Sequence, residues 1–507
     1  MLDPNKSSGL DELDPFFFKI AAPVIAGPIT NIFNLSLQTA EIPQAWKSAL
    51  VRPLFKGGDR SDPNCYRPIS ILPCLAKVLE RIVNNQLTHY LKSHNILSPV
   101  QSGFRSGYGC TTASLKVLND ITSALDSKLK CSAIFIDLAK AFDSVNHSCL
   151  IERLCDVGVS ENSLLWFSNY LSERKQCVKS EQFLSHPLHV TTGVPQGSII
   201  GPTLFSIYIN NIGDSAGDSL IHLYADDTVL YSVGPSLDIV KKQLQHSFNK
   251  IQLSFSRLHL KLNVTKTKIM WFGKKGHLPS PPPSITTLDG TPLEQVTNYK
   301  YLGIWLDDTL SFSTHIHHLQ SKVKSKIGAL YRMRSSLTFS ARRTLVQTTI
   351  LPILDYGDVI YRSASKHLLQ KLDPLYHSAI RFITNAPFKT HHCTLYSSVN
   401  WTSLFTRRKC HWLLLIYKTL LGLSPPYLRQ LLHTSSPVYN TRTSKLLLLK
   451  VPKLSSSLGS GSFQYAAARD WNDLQKTLRL DTFISLADFK KYLNEYFKDE
   501  CFCSSLQ

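Results

Sequence analysis

Apolar positions between Leu75 and Leu91 recur at a spacing near 3.6, which predicts an amphipathic helix. Cys131–Ile136 (CSAIFI) is a short continuous apolar run and reads as a buried strand. Leu220–Tyr231 reads as two short strands around a turn. GVPQGSIIGP at 193–202 is a loop that opens a helix over Thr203–Ile212. GGDRSDPN at 57–64 is a loop by its Gly, Asp and Pro content, and the Pro-rich PSPPPS at 279–284 marks a connection. Residues 1–45 read as a helical lead-in with proline breaks. Residues 376–507 read as helical and basic, without a chemical motif. No internal repeat or heptad pattern runs through the chain.

The same pattern sets limits on class. The longest apolar candidate for a membrane span, Ile20–Leu37, is interrupted by Pro23, Gly27, Pro28, Asn31 and Asn34, so no spanning helix is expected. The N-terminus has no basic segment before an apolar core, so no secretory signal is expected. At roughly 150 residues per domain, 507 residues predict about three domains. The chain is 43% hydrophobic, enough for a sizeable core. It carries 56 Lys and Arg against 36 Asp and Glu, a net charge of +20. So basic a chain suits a polyanionic partner, with a merely solubilising surface as the plain alternative. The eleven cysteines are scattered. Only Cys501 and Cys503 lie close, at a spacing that does not suit a metal, so the set reads as reduced intracellular thiols.

Candidate chemistry enters with IHLYADDTVLY at 221–231. Asp226 and Asp227 sit between strand-prone apolar flanks, where ionised carboxylates are costly unless paired or metal-bound. A hairpin puts both at its tip; an ordinary Asp-rich turn is the plain alternative. In AIFIDLAKAFDSVNH at 133–147, a hydrophobic strand ends in Asp137, and Asp143 follows six residues later. A strand-end carboxylate beside a hairpin-tip carboxylate suits a hard cation such as Mg²⁺. Asp143 reads instead as a helix cap or a structural hydrogen-bond acceptor.

With these segments the chain resembles the reverse transcriptases of non-LTR (LINE-type) retrotransposons, in wording nearest the jockey, CR1 and L2-like groups. YRPISILPCLAKVLERIV at 66–83 and QSGFRSGYGCTTASL at 101–115 resemble the two finger motifs. FIDLAKAFDSVNH resembles motif A, GVPQGSIIGPTLFSIYINNI at 193–212 motif B, and YADD motif C. LKLNVTKTKIMWFG at 260–273 resembles motif D, and YKYLGIWLDD at 299–308 motif E. The seven occur in the family's order.

The resemblance implies an α+β right-hand polymerase: fingers at 46–125, a palm with an antiparallel sheet at 126–305, and a helical thumb at 306–375. An N-terminal helical extension (1–45) and a C-terminal helical basic domain (376–507) flank it. It implies RNA-directed DNA synthesis by two-metal nucleotidyl transfer from dNTPs to a primer 3′-end. Asp137, Asp226 and Asp227 become the ligands of two Mg²⁺ ions, with Mn²⁺ as a substitute, and Lys266 a general acid toward pyrophosphate, Lys268 being the weaker choice. Arg67 and Arg105 are candidates to hold the triphosphate, Arg105 preferred and a structural salt bridge the alternative for Arg67. Phe142 is the expected gate against a 2′-hydroxyl, with a plain core position as the alternative. Gln196 and Gly197 are expected against the nucleotide and template base. Tyr301, Leu302 and Gly303 match the primer grip.

Residues 321–350 carry seven Lys and Arg and no acid. Where the family places its thumb, Lys322, Lys324, Lys326, Arg332 and Arg334 are expected to meet phosphates. The His315, His317, His318 cluster and the run His391, His392, Cys393 read as polar side chains facing solvent.

The expected partners are an RNA template, a DNA primer or target and dNTPs, with no membrane; the oligomeric state stays open. Elements of this kind usually carry a nicking endonuclease. About 65 residues precede the first finger motif, too few for one, so the chain reads as a piece of a longer reading frame or a truncated copy. An intracellular location, nuclear and cytoplasmic, is expected. The rivals are a decayed copy acting only as a basic RNA-binding protein, and another right-hand polymerase such as an intron maturase or viral RNA polymerase.

Overall fold

The computed structural model describes residues 3–273, 283–435 and 446–497. Most of the Pro-rich connection and both Cys501 and Cys503 lie outside the described residues.

A five-stranded sheet organises the middle of the chain. Its order is Glu294–Gln295, Lys268–Phe272, Lys130–Ile136, Asp227–Gly234, Leu220–Tyr224. The central pairings are antiparallel, and only the short edge strand Glu294–Gln295 runs parallel to its neighbour. Successive side chains of a strand point to opposite faces, so Lys130–Ile136, designated β3, serves two cores at once. Ala133 and Phe135 join one apolar cluster with Val229, Met270 and helix α3 (Cys110–Asp126). Ile134 and Ile136 join the other, with Leu230, Trp271 and helix α2 (Cys74–Ser93). That two-sided burial is why CSAIFI is apolar but for Ser132, whose hydroxyl donates to Met270 O at 3.0 Å.

A second sheet pairs β1 (Ser48–Phe55) antiparallel with β2 (Tyr66–Ile71) and parallel with Arg174–Ser180. The helix expected over Leu75–Leu91 is α2; Ala76, Leu79, Val83, Leu87 and Leu91 form its buried stripe.

The lead-in differs from its sequence reading. Pro15–Thr39, designated α1, is one helix of 25 residues, running on through Pro23 and Pro28. Asp14 caps it, its side chain accepting from Phe16 N at 2.7 Å. One stripe packs inward: Phe33 meets Trp46 edge-on, and Trp166 Nε1 donates to Ser36 Oγ at 3.2 Å. The other face leaves Phe16, Phe17, Ile20 and Val24 exposed. By length and composition this helix is long and apolar enough to cross a membrane, contrary to the reading that its prolines and asparagines rule a span out.

The helices beyond residue 376 share the core of α3. Trp412, Tyr417 and Trp471 belong to the same apolar cluster as Leu115, Val117 and Phe135. Asp126, at the end of α3, accepts from Ser455 N (3.0 Å), Ser456 N (2.7 Å) and Ser456 Oγ (2.7 Å), tying that helix to the C-terminal segment.

Candidate active site

Strand register carries the first acid to the other two. In the pairing of β3 with Asp227–Gly234, Ile136 lies opposite Thr228, so the next residue along, Asp137, comes out opposite Asp227. Tyr224 pairs with Asp227, which leaves Ala225 and Asp226 as the two-residue turn of the hairpin. Ala225 takes a left-handed backbone (φ 55°) to make that turn.

The three carboxylates act on one another. Burial raises the pKa of each. Asp137 adds its charge against both members of the pair, and Asp226 adds to Asp227, which keeps solvent contact yet is pushed up to about 6. The opposing influences are Lys266, the Asn263 side chain and Lys56 at Asp137, and at Asp226 its own backbone N–H and then Arg67. An all-oxygen set whose negative charge is only partly offset is the type a hard divalent cation occupies. The three do not crowd into one tight cage, since their oxygens are not all within 4.8 Å of one another. The groups that are this tight lie elsewhere. One is Asp355, Asp358 and His411, but Asp355 is already held by Arg407 (2.6 and 2.5 Å) and Asp358 by His411 (2.6 Å). The other is His391, His392 and Cys393, of which His391 is exposed and caps the helix that follows, while Cys393 is disulfide-bonded, contrary to the reading of the cysteines as reduced thiols.

Around the acids the backbone is fixed from several directions. Asp137 O accepts from Asn263 N at 2.9 Å, and Asp137 N donates to Thr267 Oγ1 at 3.2 Å, which sets the 263–268 loop beside it. Lys266 lies on that loop and acts on Asp137, whereas Lys268 is paired with Glu294. Gln196 Nε2 donates to Asp143 Oδ1 at 2.8 Å, and Gln196 O accepts from Ser70 N at 2.7 Å. Asp143 is therefore the structural acceptor its sequence position suggested. Gly197 (φ 128°) passes so close to Ser70 O that a Cβ has no room. Glu80, wholly buried on α2, accepts from Ile199 N at 2.6 Å and holds the far end of the same loop.

Several sequence expectations change place. Arg105 NH1 donates to the carbonyls of Ser98 (2.8 Å) and Gln101 (3.0 Å), and its guanidinium lies over Tyr108, so it serves its own loop. Arg67, by contrast, is exposed and its charge reaches Asp226. Tyr301 is buried, packed on Phe135; of the Tyr301–Gly303 turn, only Gly303 is exposed. Tyr356, not singled out from the sequence, covers that turn and donates to Leu302 O at 2.7 Å. His315 is fully buried rather than on the surface, because it faces inward on the helix Ser313–Arg332. On this helix Lys322, Lys324, Lys326 and Arg332 are exposed. Arg334 is half-buried instead, with NH2 donating to Arg381 O at 3.0 Å. Phe142 stacks on Phe205 (4.4 Å between ring centres) and meets Phe104 edge-on (6.0 Å). Phe104 also went unnoticed in the sequence, where an aromatic in a Gly-flanked loop carries no periodic signal.

The family model for reverse transcriptase (RNA-dependent DNA polymerase) matches residues 56–306. The probable RNA-directed DNA polymerase from transposon BS of Drosophila melanogaster is 30% identical over 407 residues, covering 78% of this chain and 44% of that protein. The RNA-directed DNA polymerase from mobile element jockey of the same organism is 29% identical over 395 residues, covering 76% and 42%. Apo telomerase from Candida tropicalis aligns with a TM-score of 0.40 at 11% identity, over 75% of this chain and 64% of that one. The chain spans less than half the length of these two Drosophila relatives.

Proposed function

Residues 56–306 of this chain belong to the reverse transcriptase family, of the non-LTR retrotransposon kind, and from that membership we propose that the chain extends a primer 3′-end with dNTPs on an RNA template. The observation that carries the proposal is the register that sets Asp137 opposite Asp227, beside Asp226. Two divalent ions, Mg²⁺ by donor chemistry, supply activation of the primer hydroxyl and relief of charge on the leaving pyrophosphate when bound.

The chain's own residues do the rest. Asp137, Asp226 and Asp227 hold the cations. Arg67, exposed on β2, meets the triphosphate as a planar donor. Lys266 stands on the Asp137 side, placed to protonate or neutralise pyrophosphate. The Gln196–Gly197 loop, pinned by Ser70, Asp143 and Glu80, presents backbone to the nucleotide. Phe142 closes the sugar side against a 2′-hydroxyl. The segments 46–125, 126–305 and 306–375 act as fingers, palm and thumb, with Lys322, Lys324, Lys326 and Arg332 following phosphates.

Primer extension on a poly(A)-type RNA template tests this. The purified chain should incorporate dNTPs only with Mg²⁺ or Mn²⁺, and Asp226→Asn should lower the rate about a hundredfold or more. Salt-sensitive RNA binding without cation-dependent extension would favour the reading as an RNA-binding protein alone.

A further inference from the structure

The segment 98–105 is built onto the edge of the acidic hairpin. Leu223 N donates to Val100 O (2.9 Å) and Ser102 N to Leu223 O (2.8 Å), so the segment runs beside Leu220–Tyr224 like an added strand. Gln101 is fully buried, and its Oε1 accepts from both Gly103 N (2.7 Å) and Ala225 N (3.2 Å), joining this loop to the turn that carries Asp226. Ser102 Oγ contacts His222 Nε2 at 2.9 Å and the Tyr427 hydroxyl at 3.0 Å. Arg105 is committed to Ser98 and Gln101. Gly103 passes so close to Ala225 and Tyr224 that a Cβ there would strike their backbone.

Phe104 alone is turned the other way. It is 52% exposed and holds a left-handed backbone (φ 57°), a conformation costly for a bulky side chain. A single exposed apolar residue is ordinary on a protein surface. What separates this one is that a loop tied down by the bonds of Gln101, Ser102 and Arg105 holds a strained aromatic outward, one residue beyond the contact with the acidic turn. Its ring also sets its face or edge to Phe142, the sugar-side residue.

We propose that Phe104 is a nucleic-acid-contacting residue whose ring is the apolar platform for the terminal base pair of the template–primer duplex. An uncharged ring offers nothing to phosphate, whereas every base presents a π-face that stacks on an aromatic regardless of sequence. This inference rests on the polymerase reading and assigns the second finger motif a residue that touches substrate, Phe104, in place of Arg105.

The test is binding of a labelled RNA–DNA primer duplex by fluorescence anisotropy, together with nucleotides added per binding event. Phe104→Ala should weaken duplex affinity about fivefold or more and shorten the products, with KM for dNTP little changed. Phe104→Trp should restore both. Phe104→Asn removes the ring with a residue that tolerates left-handed backbone, so it should match the Ala variant with an unchanged melting temperature. Unchanged affinity in the Ala and Asn variants would overturn the proposal, as would a Trp variant as weak as Ala. If the wild-type chain binds the duplex but does not extend it, the polymerase reading fails, and the affinity measurements still decide the role of Phe104.

Discussion

Phe142 rests on Phe205 as a stacked pair, meets Phe104 edge-on and is only partly buried, so its ring is braced yet keeps solvent contact. A braced ring excludes a hydroxyl by contact, because it cannot yield without unstacking. Phe142→Ala should therefore admit ribonucleotides, shifting the ratio of dNTP to NTP incorporation by about tenfold or more. Unchanged discrimination would leave Phe142 as a core residue. The two lysines of the 263–268 loop show the same dependence on direction. They stand two residues apart; Lys266 acts on Asp137, and Lys268 is neutralised by Glu294. The resemblance already preferred Lys266, and side-chain direction gives a physical reason for that preference.

At the scale of elements, the strand Leu220–Tyr224 is held by the added segment on one side and by Asp227–Gly234 on the other. Its His222 contacts Ser102 Oγ and the ring of Tyr427, with Lys116 as the charge that reaches it. Desolvation, then Lys116, lowers its pKa from the ordinary 6.5 to about 4. Between those values the unfolded chain takes up a proton that the folded chain refuses. Stability therefore falls as the pH drops from about 6.5 and levels off below about 4, a loss on the order of 3 kcal/mol from this group. His222→Gln should flatten the acid limb of a urea-midpoint curve by a comparable amount. A limb as steep as in wild type would mean His222 is not neutral in the fold. The strand itself was legible as one of two short strand-prone runs around a turn. The added segment was not, since it makes only a few backbone bonds and no period.

At the scale of the whole molecule, part of the +20 excess lies on one helix face. Lys322, Lys324, Lys326 and Arg332 lie exposed on one helix, while Arg334 and Arg342 are drawn into contacts with Arg381 O and Phe382 O. If the exposed four meet phosphates, replacing all four with Ala should reduce the slope of log affinity for the duplex against log salt by about 3. An unchanged slope would place the phosphate contacts elsewhere. The C-terminal helices belong to this scale too. They fill the same apolar cluster as α3 and β3, so they support the sheet that carries the acids.

By itself the sequence determined which candidate groups the chain carries and in what order: a carboxylate at the end of an apolar strand, two more in a hairpin turn, a glycine-containing loop between them, and a basic stretch beyond. Their local setting follows from period, turn chemistry and charge, and their expected roles from the resemblance to the family. The tertiary structure decided what local rules cannot reach. Strand register set Asp137 opposite Asp227, packing turned Tyr301 and His315 inward, and hydrogen bonds claimed Arg105 while leaving Phe104 outside. The physical reason is that a side chain's direction depends on partners far away in the chain, and no spacing along the sequence records them.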